Sequence, residues 1–215
     1  MKTNNSLPNG FLTKTGLSVN ASKSALIFKM VSLAVYLAYF IVSGFSIFFA
    51  YIPFGPAWLT YLPLIVAMAT LQLGYSGAML AGFGFGLSSF IAAMLLGFIW
   101  FQYIDVSILS RVLVGAVVCL AYWILGISKR PKLWKFVVLT LVATEFNSIF
   151  VFGALYLHTT YIGPLAGLPP FYEMLVANTV NLIAEPIFNV SMAVLLYLPI
   201  LGLKQKYDSR KSVSW

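Results

Sequence analysis

Between Lys29 and Asp105 the chain carries no Asp, Glu, Lys or Arg, so residues 30–104, 75 in a row, are uncharged. A soluble domain cannot be built on such a stretch, because ordinary domains are roughly a quarter charged and use those groups to cover their surface. A helix that crosses a bilayer takes about 20 apolar residues, so this stretch alone has room for three. The rest of the 215 residues agrees: 61% are hydrophobic, 8% are charged and the mean hydropathy is +0.95. The expected fold class is an all-α membrane protein.

Six apolar segments can be drawn, at 26–51, 57–73, 77–100, 108–127, 136–156 and 174–203. Gly- and Pro-containing breaks separate several of them, as at Pro53, Gly55 and Pro56. The chain then divides into a polar N-terminal segment (1–25), a six-helix membrane domain (26–203) and a basic tail (204–215). The polar start, followed by an apolar run longer than a signal peptide's core, argues against a cleaved leader. The single cysteine, Cys119, sits in an apolar run and reads as a packing residue.

The net charge of +8 is concentrated in three places. Lys14, Lys23 and Lys29 precede or open the first segment; Lys129, Arg130, Lys132 and Lys135 separate the fourth from the fifth; Lys204, Lys206, Arg210 and Lys211 follow the sixth. Six spans put all three clusters on one side, and the excess of Lys and Arg in cytoplasmic loops makes that side the cytoplasm. Both termini are then cytoplasmic, and the basic balance reports orientation rather than nucleic-acid binding. The opposite ends carry Trp58, Trp100, Tyr103, Tyr161 and Tyr172, as an interfacial aromatic belt would.

In the third segment Gly74, Ala78, Gly82 and Gly86 recur every four residues, and Ser89, Ala93 and Gly97 continue one step displaced. Small residues at that spacing let helix backbones approach closely in lipid, so this is expected to be a central packing helix. The cluster Gly82-Phe83-Gly84-Phe85-Gly86 has no strand before it and no acidic residue at the distance a dinucleotide fingerprint requires.

Ionisable residues inside the segments are few: Arg111, Glu145 and Glu185, with Asp105, His158 and Glu173 near the outer loops. Charge at membrane depth is expensive and marks a site, a pathway or an internal pair. Arg111 lies away from every basic cluster. It can pair with Asp105 or Glu173, snorkel to the interface, or act as a bidentate clamp for an anionic ligand. Asn178, Asn181, Glu185 and Asn189 fall at i, i+3, i+7 and i+11, on one helical face. With Asn147 they can read hydroxyl and amide groups of a ligand, or simply join helices. There is no phosphate loop, no H-E-x-x-H, one histidine, and no histidine near Ser88 or Ser89, so neither ATP hydrolysis nor acyl chemistry has its residues here.

Several stretches together resemble the substrate-binding S components of energy-coupling factor (ECF) vitamin transporters, most closely the pantothenate type. They are 52–57 with Thr60 and Pro63, the run from Gly82 to Phe90, Ser110-Arg111 through Gly115, Asn147 with 153–156, and Asn178 to Glu185. The chain departs from that pattern at Gly74-Tyr75-Ser76, at Ser110 before the arginine, and at Phe146-Asn147-Ser148. The resemblance implies a six-helix S-component bundle in a bacterial plasma membrane, without catalytic residues, metal or cofactor of its own. ATP would be used by two ATPase subunits, acting through a transmembrane coupling protein. It implies that Arg111 binds the vitamin carboxylate, that Asn147, Asn178 and Asn181 read its other polar groups, and that Trp58 and Thr60 stand near the mouth. A pair of small residues on the first helix, Ala34 and Ala38, or the less embedded Ala21 and Ala25, would contact the coupling protein. Other vitamins such as riboflavin or folate, a small intramembrane enzyme using Glu145 or Glu185, and a ligand-free scaffold remain open alternatives.

Overall fold

The computed structural model describes residues 11–54 and 57–212, with side chains described for 23–46, 48–52 and 59–210. Helix accounts for 84% of the chain. Helix α1 spans Phe11–Phe45, followed by a short 3₁₀ turn (Ile47–Phe49) and an antiparallel hairpin of β1 (Tyr51–Phe54) and β2 (Ala57–Thr60). Then come α2 (Leu62–Leu73), α3 (Tyr75–Leu96), α4 (Ser110–Ile124), α5 (Leu133–Leu157), the short α6 (Phe171–Ala177) and α7 (Thr179–Ser212). Single π-helical turns lead into α4 (Asp105–Leu109) and out of α5 (His158–Ile162).

Among the described residues, five helical stretches are long and apolar enough to cross a bilayer: Lys23–Phe45, Tyr75–Leu96, Asp105–Ile124, Leu133–Ile162 and Thr179–Arg210. The second apolar segment of the sequence is divided. Its first four residues pair as β2, and only 12 remain as α2, about 18 Å of helix against a hydrocarbon core of about 30 Å. Pro63 suits the first turn of α2, where its missing N–H has no intrahelical partner in any case, and Gly74, at φ 67°, makes the sharp exit. Instead of facing lipid, α2 is the most buried helix, with Leu62, Leu64, Val66, Ala67, Ala69 and Leu71 in the core.

Around α2 stand Phe40 of α1, Phe85 of α3, Val114 and Val118 of α4, Phe136 and Leu139 of α5, and Tyr197 of α7. Hydrophobic attraction does not hold helices together in lipid, so close packing and interhelical hydrogen bonds must. Both are present. Gln72 of α2 accepts from the Tyr36 hydroxyl at 2.8 Å and donates to Ser32 at 3.2 Å, tying α2 to α1. The small-residue stripe makes α3 the packing helix expected of it: a Cβ on Gly82 would lie 2.8 Å from Gly115 Cα of α4, and one on Gly86 2.8 Å from Ile108 Cα.

Helix α1 begins well before the apolar edge at Leu26 and stops short of Tyr51, because the 3₁₀ turn and hairpin take over. Ala34 and Ala38 are exposed on α1. Ala25 is buried, 7% exposed, unlike Ala34 and Ala38. The side chain of Ala21 lies outside the described residues.

Candidate functional site

A cavity of about 620 Å³ opens among α3, α4, α5, α7 and the hairpin. That volume suits a small organic ligand. Ser89, Ala93 and Gly97, the displaced half of the small-residue stripe, line its α3 wall. The same small side chains that permit close packing lower down leave space here.

Arg111 stands in the first turn of α4 and is 5% exposed. Its guanidinium donates from one terminal nitrogen to the Val106 carbonyl at 2.7 Å and to Ser110 Oγ at 3.0 Å. The guanidinium carbon is 5.5 Å from the Phe85 ring centre and 5.3 Å from that of Phe101, so two aromatic faces share the charge. Ser110 in turn donates to Val106 O, which fixes this carbonyl between two donors. Arg111 Nε has no acceptor, and no carboxylate lies within ion-pair distance among the described residues.

The two acids considered as its partners are elsewhere. Asp105 Oδ2 sits 2.6 Å from His158 Nδ1, with the Tyr103 ring 4.3 Å from the histidine, so this pair joins the two π-helical turns. Glu173 is exposed on α6. Nor does Arg111 snorkel, since its guanidinium is held between rings inside the cavity wall.

Asn147 of α5 lines the cavity with a buried, unpartnered Oδ1. Asn178, at the break between α6 and α7, donates to Met174 O at 2.8 Å, and Asn181 lies 3.5 Å from Asn178 Oδ1 with its own Oδ1 unpartnered. Carboxamide oxygens held without partners in a buried wall are costly unless something in the cavity donates to them.

Thr60 of β2 also reaches the cavity. Its backbone N–H donates to Glu185 Oε1 at 2.8 Å, and its carbonyl accepts from Asn189 Nδ2 at 3.2 Å, while Asn189 also donates to Thr144 Oγ1 at 3.1 Å. The polar face of α7 therefore splits by depth. Asn181 and Glu185 line the cavity; Asn189, fully buried beyond it, clamps the hairpin to α5 and α7.

Of the residues picked from sequence, Arg111, Asn147, Asn178, Asn181 and Thr60 meet in one cavity. The side chain of Trp58 lies outside the described residues. Sequence reasoning did not place Tyr51, Phe85, Trp100, Phe101 or Ser148 at the site, yet they line it, together with Glu185 of the polar helical face. Glu185 was visible in the helical register of the asparagines, whereas the aromatics look like any belt or core residue until the chain is folded. The chain matches no known family model and none of the curated proteins with which it was compared.

Proposed function

We propose that the chain is the ligand-binding subunit of a vitamin importer, an S component of the energy-coupling factor type. In this reading it takes an anionic vitamin, pantothenate first among candidates, from outside a bacterial cell. The observation that carries it is the orphaned Arg111: a guanidinium 5% exposed, with a free Nε and no acid partner, on the wall of a 620 Å³ cavity. A charge buried at membrane depth without a counter-ion is costly, and a carboxylate arriving in the cavity offsets that cost. The planar fork suits a carboxylate in two-point contact, and the aromatic rings keep it from turning away. The open amide oxygens of Asn147 and Asn181 await donors, and pantothenate brings an amide N–H and two hydroxyls.

With no phosphate loop in the chain, energy for release must come from elsewhere, in this reading from two ATPases through a coupling protein that packs on α1. The topology proposed with it has six crossings, both termini cytoplasmic, and α2 as the short crossing shielded from lipid by its neighbours.

Calorimetry with pantothenate and its alcohol analogue panthenol tests the clamp. Wild type should bind the acid far more tightly than the alcohol. Arg111→Lys should lose about 2 to 5 kcal/mol, roughly thirtyfold or more in affinity, because a point ammonium cannot reproduce the fork. Equal affinity for acid and alcohol in wild type removes the carboxylate clamp, and binding of neither removes the vitamin.

A further inference from the structure

Glu185 is the second buried ionisable group on the cavity wall, 6% exposed, and among the described residues no cation pairs with it. Its Oε1 accepts the Thr60 N–H and so helps to hold the hairpin on α7. That task does not require a charge. A glutamine carbonyl would accept the same N–H without the cost of keeping a carboxylate away from water. Arg111 does not neutralise it either, since the two line one cavity without forming an ion pair. Among the described residues the cavity therefore holds a guanidinium and a carboxyl group that form no ion pair with each other, and the carboxyl has no donor beyond Thr60.

We propose that Glu185 is a specificity-determining residue that accepts hydrogen bonds from hydroxyl groups of the ligand. The ligand class is then a hydroxylated carboxylate, held by Arg111 and Glu185 together with the amides of Asn147, Asn178 and Asn181 that line the same cavity. This rests on the carboxylate reading of Arg111 and adds a second contact. A hydroxyl suits the position because the rest of the polar lining, Ser148 and the three asparagines, is neutral and made of groups that both donate and accept. A buried acceptor left without its donor is costly, so selection against a ligand lacking the hydroxyls should be steep.

The test is calorimetric binding of three probes, pantothenate, panthenol and the pantothenate analogue lacking both hydroxyls, to the full chain and to Glu185→Gln. Wild type should bind the analogue about tenfold or more weakly than pantothenate, and Glu185→Gln, which retains an acceptor for the Thr60 N–H, should reduce that ratio severalfold. Equal wild-type binding of pantothenate and the analogue overturns the role of Glu185 and leaves the carboxylate clamp intact. So does an unchanged ratio in a Glu185→Gln protein that melts like wild type. The wild-type comparison decides the matter if the variant does not fold. Panthenol binding as tightly as pantothenate, with the hydroxyls still required, overturns the clamp and supports Glu185. Failure of all three probes to bind overturns both.

Discussion

At the scale of single residues, the site depends on one missing methyl group. A Cβ on Gly82 would sit 2.9 Å from the Arg111 carbonyl as well as 2.8 Å from Gly115 Cα, so the backbone that carries the guanidinium is seated directly on the α3 glycine. Both atoms it would meet are backbone, which cannot swing aside as a flexible side chain can. Gly82→Ala should therefore push α4 outward, costing about 1 to 3 kcal/mol as overpacking does. It should lower the melting temperature in detergent and weaken ligand binding together. Gly153→Ala, with nothing within 4 Å of the new methyl, is the control and should melt no lower than wild type. A Gly82→Ala protein that melts and binds like wild type would show that the crossing is looser than its distances say. Gly82 and Arg111 were both legible in the sequence, one as part of a four-residue period of small side chains and the other as a lone cation in an apolar run. The hydrogen bond that Glu185 accepts was not, because its donor, Thr60, lies 125 residues away.

At the scale of elements, local chemistry gave the long helices and missed the hairpin. Residues 52–56 read as a break because Pro53, Gly55 and Pro56 are turn residues, and four-residue strands give too short an alternation to detect. What makes this segment a structure is tertiary: the Thr60 backbone is held at both its N–H and its carbonyl by α7 side chains. The same pairing shortens α2, since the chain cannot enter the helix until β2 ends at Thr60. In the proposed importer, helix α1 bears on transport rather than binding. Leu26, Ile27, Met30, Val31 and Val35 are all more than half exposed, and Ala34 and Ala38 lie exposed among them. Small residues four apart allow a second helix to approach, and a bulky one holds it off. In the proposed importer, Ala34→Trp or Ala38→Trp should reduce uptake of labelled vitamin while leaving calorimetric affinity within about twofold of wild type, because neither residue lines the cavity. A parallel loss of binding would mean that these alanines support the bundle instead.

At the scale of the whole molecule, the three basic clusters fall at the end away from the cavity. Glu185 lines the cavity and Lys204 follows it by 19 residues on the same helix, about 28 Å along the axis. On the way, Tyr197 of α7 packs against Phe136, 6.0 Å between ring centres, which brings α7 level with the start of α5 and the basic cluster of Lys129, Arg130, Lys132 and Lys135 there. Further along, Tyr207 stacks on Phe28 at 6.0 Å, and the Arg210 guanidinium lies 4.7 Å from the same ring, which adds the Lys23 and Lys29 end of α1. Lys135 has a further task, since its ammonium donates to Leu125 O at 2.5 Å and so caps the end of α4, where the helix dipole favours a cation. Lys204 likewise pairs with Asp208 at 2.8 Å. In the proposed topology the basic end faces the cytoplasm and the cavity opens to the outside. Cysteines introduced at Asn4, Lys132 and Ser209 in a Cys119→Ala background should resist an impermeant thiol reagent in intact cells and react once the cells are broken. One at Gly167, in the exposed loop beyond α5, should react in both. Labelling of the Lys132 position from outside would invert the protein, turn the cavity toward the cytoplasm, and end the case for an importer.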